Sequence, residues 1–260
     1  MQPGSIAEKN APVIFVRQLR KDRQQGGNEI YRLLIPCLEI GHGEKILITG
    51  PSGSGKSTLL DMLGMALRPD AVQQFLFRPR APLKEEIFHG HAETAFPALP
   101  EKQLPSHNIA LAWENGQVES LALWRQHVGY VLQTGGLLPF LTVRDNILSQ
   151  HRLLGLPGDG APEKLAEILG ITRLLGKLPS ELSVGERQRA AIARALAASP
   201  PLVLADEPTA ALDPANAMTV LSLFSQVMSE LGSTLIPVGH PLQQLESMCF
   251  RVLCVPLARM

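Results

Sequence analysis

The run Gly50-Pro51-Ser52-Gly53-Ser54-Gly55-Lys56-Ser57-Thr58 constrains this chain more than any other stretch. Before it lies Lys45-Ile46-Leu47-Ile48-Thr49, an apolar segment of strand length; after it, Thr58-Leu59-Leu60-Asp61-Met62-Leu63 reads as a helix. Strand, glycine-rich turn and helix in that order place the region in an α/β fold. The spacing fits G-x-x-x-x-G-K-[ST], the phosphate-binding loop. Gly50, Gly53 and Gly55 let the backbone turn tightly around Ser52 and bring its N–H groups against phosphates. Lys56 is placed to reach the β- and γ-phosphates, and the Ser57 hydroxyl to ligate Mg²⁺. Thr58 opens a helix whose positive N-terminal end faces the anion.

A second segment extends this chemistry. Leu202-Val203-Leu204-Ala205-Asp206-Glu207 is a buried-strand pattern ending in two carboxylates. In an open parallel sheet the carboxyl ends of the strands face the ligand crevice. There Asp206 suits the Mg²⁺ shell, and Glu207 suits polarising a water in line with a γ-phosphate.

The remaining chain alternates strands and helices. Val13 to Val16, Tyr31 to Ile40, Val128 to Leu132, Ser233 to Val238 and Arg251 to Val255 read as strands, and Arg17 to Asn28 as a turn or loop. Val143 to Leu154, Pro162 to Leu175, Val184 to Ala198 and Pro214 to Leu231 read as helices. Residues 70–107 hold many prolines and no apolar period, which predicts a loop-rich insertion with a short strand near Phe75 to Phe77. His89 and His91 within it read as exposed loop residues. The alternation predicts a parallel sheet with helices.

Leu182-Ser183-Val184-Gly185-Glu186 resembles the L-S-G-G-Q signature of the ATP-binding cassette (ABC) ATPases, and it precedes Asp206 as that family's order requires. The resemblance runs from about Val13 to Val255 and implies one domain over 1–260. Residues 13–132 and 200–255 would form a RecA-like catalytic core with an N-terminal antiparallel β subdomain, and 134–198 a helical signature subdomain. It implies ATP and Mg²⁺ as ligands. Ser183, Gly185 and Glu186 would contact the γ-phosphate of ATP held by a second copy. Gln133 would be the Q-loop residue linking Mg²⁺ and water to a membrane partner. Asp213, in Ala211-Leu212-Asp213, would be the D-loop aspartate, and His240 the γ-phosphate switch. Val184 departs from the signature, standing where its first glycine is usual; an adenine-stacking aromatic would fall near Asp22, no aromatic stands there, and Tyr31 is the candidate for that role.

Thr134 to Ile147, with Leu178-Pro179-Ser180-Glu181-Leu182, is similar to the lipoprotein-release and macrolide-export branch of that family. This implies a transmembrane permease that contacts Gln133 to Ile147, a periplasmic or accessory component, and a site of action at the cytoplasmic face of a bacterial inner membrane. Two other readings stay open at this point: a regulatory or structural membrane ATPase of low turnover, and a soluble ABC protein acting on nucleic acid. Formal charge weighs against the last, since 24 basic and 24 acidic residues balance to zero. Cys37, Cys249 and Cys254 show no metal-ligand spacing, and the latter two read as core packing. The start lacks a signal-peptide pattern, and no apolar run is long enough to span a membrane.

Overall fold

A computed structural model of the protein describes residues 11–25, 28–80, 107–155, 160–210, 212–239 and 250–256. His240, Ala211, His89, His91, Cys249 and most of the proline-rich insertion lie outside them.

Near the N-terminus the chain forms a long antiparallel hairpin. Strand β1 (Ile14–Gln25) pairs with β2 (Asn28–Ile40) from Ile14↔Ile40 to Gln25↔Asn28. Residues 17–25, expected as a turn or loop, are therefore strand. The physical reason lies at Gln18, whose φ is 50° and which is skipped in the register between Arg17↔Cys37 and Leu19↔Ile35. Ile14, Val16 and Leu19 are all fully buried, so the alternation of burial breaks at Gln18, while the pairing register is kept there and shifts only between Arg23 and Gln24. Beyond Gln18, ion pairs hold the charged strands: Arg32 Nε donates to Asp22 Oδ1 at 2.7 Å, and Lys21 Nζ to Asp70 Oδ1 at 2.7 Å. Strand β4 (Gln74–Phe77) pairs with β1 and with β5 (His107–Asn108), giving the order β2-β1-β4-β5. The short strand expected near Phe75 is this β4.

The second sheet is parallel, in the order β6-β7-β8-β3-β9. It comprises β3 (Ile46–Thr49), β6 (Val128–Val131), β7 (Leu202–Asp206), β8 (Thr234–Val238) and β9 (Arg251–Cys254). Its inner strands β3, β7 and β8 are apolar on both faces because both faces are covered. In β7, Val203 and Ala205 join the core formed with the C-terminal helices, while Leu202 and Leu204 join the core shared with the antiparallel sheet. Strand β9 is an edge, which leaves Cys254 exposed rather than in the core as its apolar surroundings suggested.

Seven α-helices surround the sheets among the described residues: α1 (Lys56–Leu63), α2 (Ile109–Glu114), α3 (Val118–Arg125), α4 (Val143–Leu154), α5 (Ala161–Ile168), α6 (Val184–Leu196) and α7 (Pro214–Leu231). Helices α4 and α7 run as their periodicity predicts. Helix α3 has no counterpart in the sequence reading. Residues 162–175 are not one helix: α5 stops at Ile168, Gly170 takes φ 64°, and a 3₁₀ turn over Thr172–Leu174 brings Ile171 and Leu174 into the core. The left-handed glycine reverses the chain where an α-helix would have continued.

Candidate nucleotide site

The phosphate loop joins β3 to α1. Gly50 has φ 152°, and a Cβ built there would lie 2.3 Å from the Val255 carbonyl oxygen, so no side chain fits. Gly55, with φ 94°, is the N-cap of α1, and no side chain caps that end. The first N–H groups of α1 are thereby left for an acceptor from outside the helix. Ser52 and Gly53 are exposed on the crest of the loop. Lys56 is only 7% exposed, and its ammonium donates to the Gly50 and Pro51 carbonyls at 3.0 and 2.9 Å.

Strand order brings the other groups to this loop. Strands β3, β6, β7 and β8 are parallel, so their carboxyl ends share one side of the sheet. Ser57 Oγ donates to Asp206 Oδ1 at 3.0 Å, joining residues far apart in sequence. Gln133, just beyond β6, donates from Nε2 to Glu207 Oε2 at 3.2 Å. Glu207 has φ 43°, and its N–H donates to the Val238 carbonyl at 3.1 Å. A non-glycine residue held in the left-handed region costs on the order of 1–3 kcal/mol and aims its side chain off the strand line.

Two residues that the sequence reading passed over complete this corner. Asp61 lies one turn along α1 from Ser57, on the same face. The Tyr130 hydroxyl donates to Asp61 Oδ1 at 2.7 Å. Burial, then the neighbouring Asp61 and Asp206 carboxylates, push the Tyr130 phenol well above its ordinary value. Burial likewise raises the Asp206 carboxyl. The Ser57 hydrogen bond opposes that rise, and the Glu207 and Asp61 carboxylates add to it. The i, i+4 relation of Asp61 to Ser57 is the signal that marks it in the sequence.

The corner is oxygen-rich and crowded with negative charge, which suits a hard divalent cation held jointly with phosphate oxygens. Among the described residues no group of three or more His, Cys, Asp or Glu forms a self-sufficient metal cage. Mg²⁺ takes one or two carboxylates and completes its shell with phosphate and water.

Ser183, Gly185 and Glu186 lie elsewhere, at the start of α6. Ser183 is the N-cap: its Oγ accepts from Glu186 N–H at 3.3 Å, and Glu186 Oε2 accepts from Ser183 N–H at 2.9 Å. This reciprocal box holds the Glu186 carboxyl below its ordinary value. Val184 is the first helical residue and is not among the positive-φ positions, so the signature needs no glycine there. Gly185 faces Leu212, whose Cδ2 would lie 3.5 Å from an added Cβ. Asp213 caps α7, accepting from Asn216 N–H at 3.1 Å. None of the described contacts of Ser183, Gly185 or Glu186 is with the chain's own phosphate loop. Asp22, where an adenine aromatic was sought, is tied to Arg32 and lies 3.3 Å from Arg20 Nε. Tyr31 lies on β2 opposite Arg23.

The sequence profile of the ABC transporter family matches residues 36–210. A lipoprotein-releasing system ATP-binding protein, LolD, from Novosphingobium aromaticivorans is 36% identical over 232 residues, covering 88% of this chain and 90% of that protein. A methionine import ATP-binding protein, MetN 2, from Yersinia pestis is 32% identical over 240 residues, covering 91% of this chain and 63% of that protein. Among solved structures, a dimeric ATP-binding cassette in a post-hydrolysis state with ADP and Pi is similar. Its TM-score is 0.68 at 26% identity, over 95% of this chain and 97% of that one. The chain belongs to the ABC transporter family and is an ATP-binding cassette ATPase.

Proposed function

We propose that the chain is the ATP-hydrolysing subunit of a membrane transport complex. In this reading it works as a pair of copies that enclose ATP and Mg²⁺ between one copy's phosphate loop and the other's α6 N-terminus. The observation that carries the reading is the pairing of Ser57 with Asp206 and of Gln133 with Glu207 at one end of the parallel sheet. Phosphate oxygens displace the Gly50 and Pro51 carbonyls from Lys56, and the loop amides with the open start of α1 hold the phosphate chain. Ser57, Asp206 and Gln133 would hold Mg²⁺, which would supply charge neutralisation to the β- and γ-phosphates. Glu207 accepts a proton from the attacking water, and Gln133 holds the Glu207 carboxylate in place. His240 would sense the γ-phosphate.

The placement of Ser183 and Gly185 supports the two-copy arrangement, because their described contacts leave the chain's own loop alone. Asp213, capping α7 beside Leu212 and Gly185, would lie at the border between copies. Residues 134–198 form the helical subdomain of this reading, and the remaining described residues the core and β subdomain.

The permease would dock on the stretch from Gln133 to Ile147. Phe140 is 74% exposed, with Leu132 and Leu138 exposed beside it. A buried side chain holds that surface: Asn146 accepts from Leu138 N–H at 2.7 Å and donates to the Leu138, Leu141 and Thr142 carbonyls. Fixed, exposed apolar residues mark a protein-docking surface. The LolD relatives, ATP-binding proteins of lipoprotein-releasing systems, favour a permease of that type; a periplasmic or accessory component would join the assembly. No helix among the described residues is long and apolar enough to cross a membrane, so the chain would be held at the cytoplasmic face by its permease.

The test is Glu207→Gln in the full chain. Loss of steady-state ATP hydrolysis with ATP binding retained supports Glu207 as the base. Unchanged hydrolysis contradicts it.

A further inference from the structure

Helix α6 carries Ser183 at its first end and Arg194 near its last, about 16 Å apart along the axis at 1.5 Å per residue. The Arg194 guanidinium crosses to the loop after β6. One terminal nitrogen donates to the Gly136 carbonyl and the other to the Gly135 carbonyl, the latter at 3.4 Å. Gly135 and Gly136 have φ 76° and 60°, a left-handed pair that β-carbon residues rarely adopt. The same loop lies flat on α6, since a Cβ on Gly135 would sit 3.5 Å from Ala191 Cβ and 3.9 Å from Gln188 Oε1. Gln188, Ala191 and Arg194 thus form one stripe of α6 against this loop.

At its other end the loop begins with Gln133, bonded to Glu207. Gly135 N–H returns to the Leu132 carbonyl at 2.8 Å, so the turn from 132 to 136 is closed on itself. A continuous path therefore runs from Glu207 through Gln133 and the closed turn to Arg194, and along α6 to the Ser183 cap. Arg194 is the link in that path where a single side chain joins two elements. Its burial disfavours an unpaired charge there, and the two carbonyls answer it.

We propose that Arg194 is a positioning residue that fastens the loop carrying Gln133 to α6, so that the state of the nucleotide corner sets the position of the Ser183 end. This rests on the proposed role of Ser183 at the second copy's nucleotide. Nucleotide binding to the chain's own phosphate loop does not pass through Arg194; completion of the two-copy site does.

The experiment compares the wild-type full chain with Arg194→Met and Arg194→Lys. The inference expects Arg194→Met to lose about fivefold to thirtyfold in kcat, the effect of a coupling of one to two kcal/mol. KM for ATP stays at its wild-type value although the melting temperature falls in Arg194→Met, which leaves the two carbonyls without their donor, and Arg194→Lys, whose ammonium still reaches one carbonyl, recovers part of kcat. A wild-type kcat overturns the inference. So does a parallel loss of kcat, ATP affinity and melting temperature, which marks a merely structural contact; if the Met variant does not fold, the Lys variant is judged by the same criteria. Hydrogen exchange reads the coupling without turnover. ATP is expected to protect residues 133–136 and 183–187 together in the wild type, but only the former in Arg194→Met. Joint protection in the variant overturns the inference even in a chain that does not hydrolyse ATP, whereas an inert wild-type chain counts against the proposed function alone.

Discussion

Lys56 is buried, yet its ammonium is spent on two carbonyls of its own loop. Those bonds hold the side chain in the position from which it reaches a phosphate, so little ordering remains to be done on binding. Removing one charge-assisted bond costs roughly 1.5–3 kcal/mol. Lys56→Ala is therefore expected to weaken ATP binding by about tenfold to a hundredfold in a fluorescence titration. Residue-level chemistry was legible in the sequence where a motif fixes both residue type and spacing, as at Lys56, Ser57 and Asp206. It was illegible at Tyr130, whose 2.7 Å bond to Asp61 depends on how α1 lies against β6. A further single-residue effect is set by burial. His42 is pushed down from 6.5 to about 4, first by burial and then by the Arg80 and Arg78 charges. The unfolded chain binds this proton near pH 6.5 and the folded chain only near 4. Stability is therefore expected to fall as pH drops through that window, and to level off below it. In urea titrations across that range, His42→Gln is expected to flatten the slope. An unchanged slope would assign the pH dependence to other groups.

At the scale of elements, helices whose apolar period and caps agree were readable to the residue: α4 and α7 have an N-cap Thr142 or Asp213 and a left-handed glycine at the far end. Elements that break their own period were not. The buried positions of β1 lose their alternation at Gln18, so its charged half reads as a loop until the pairing with β2 is seen. Residues 162–175 keep a helical apolar spacing across Gly170 although the chain turns there. Helix α6 is held at its start by the Ser183–Glu186 box, and Ser183→Ala is expected to cost about 1 kcal/mol of stability. Glu186 is held below its ordinary value, so its contribution is present above the usual carboxylate range and is lost as pH falls through the lowered value. Amide exchange at the first turn of α6 checks both effects. Protection there should drop in Ser183→Ala, and in the wild type on acidification. Equal protection would show that packing alone holds the turn.

For the whole molecule, the parallel order β6-β7-β8-β3-β9 does what no single motif does. It brings Gln133 from one stretch of chain, and Asp206 and Glu207 from another, to the phosphate loop. That convergence follows from motif order together with the rule that ligands sit at strand carboxyl ends. The orientation of α6 does not follow from sequence, because it depends on packing between helices. Ser183 and Gly185 contact α6 and Leu212, and in the proposed two-copy arrangement they supply the other half of the nucleotide's surroundings to a second copy. The most direct test is sedimentation of Glu207→Gln with ATP and Mg²⁺, alongside the same chain without nucleotide. The account predicts a dimer carrying two bound ATP only when nucleotide is present, and no such dimer when Lys56→Ala is added. A chain that binds ATP and remains a monomer at every concentration would contradict it.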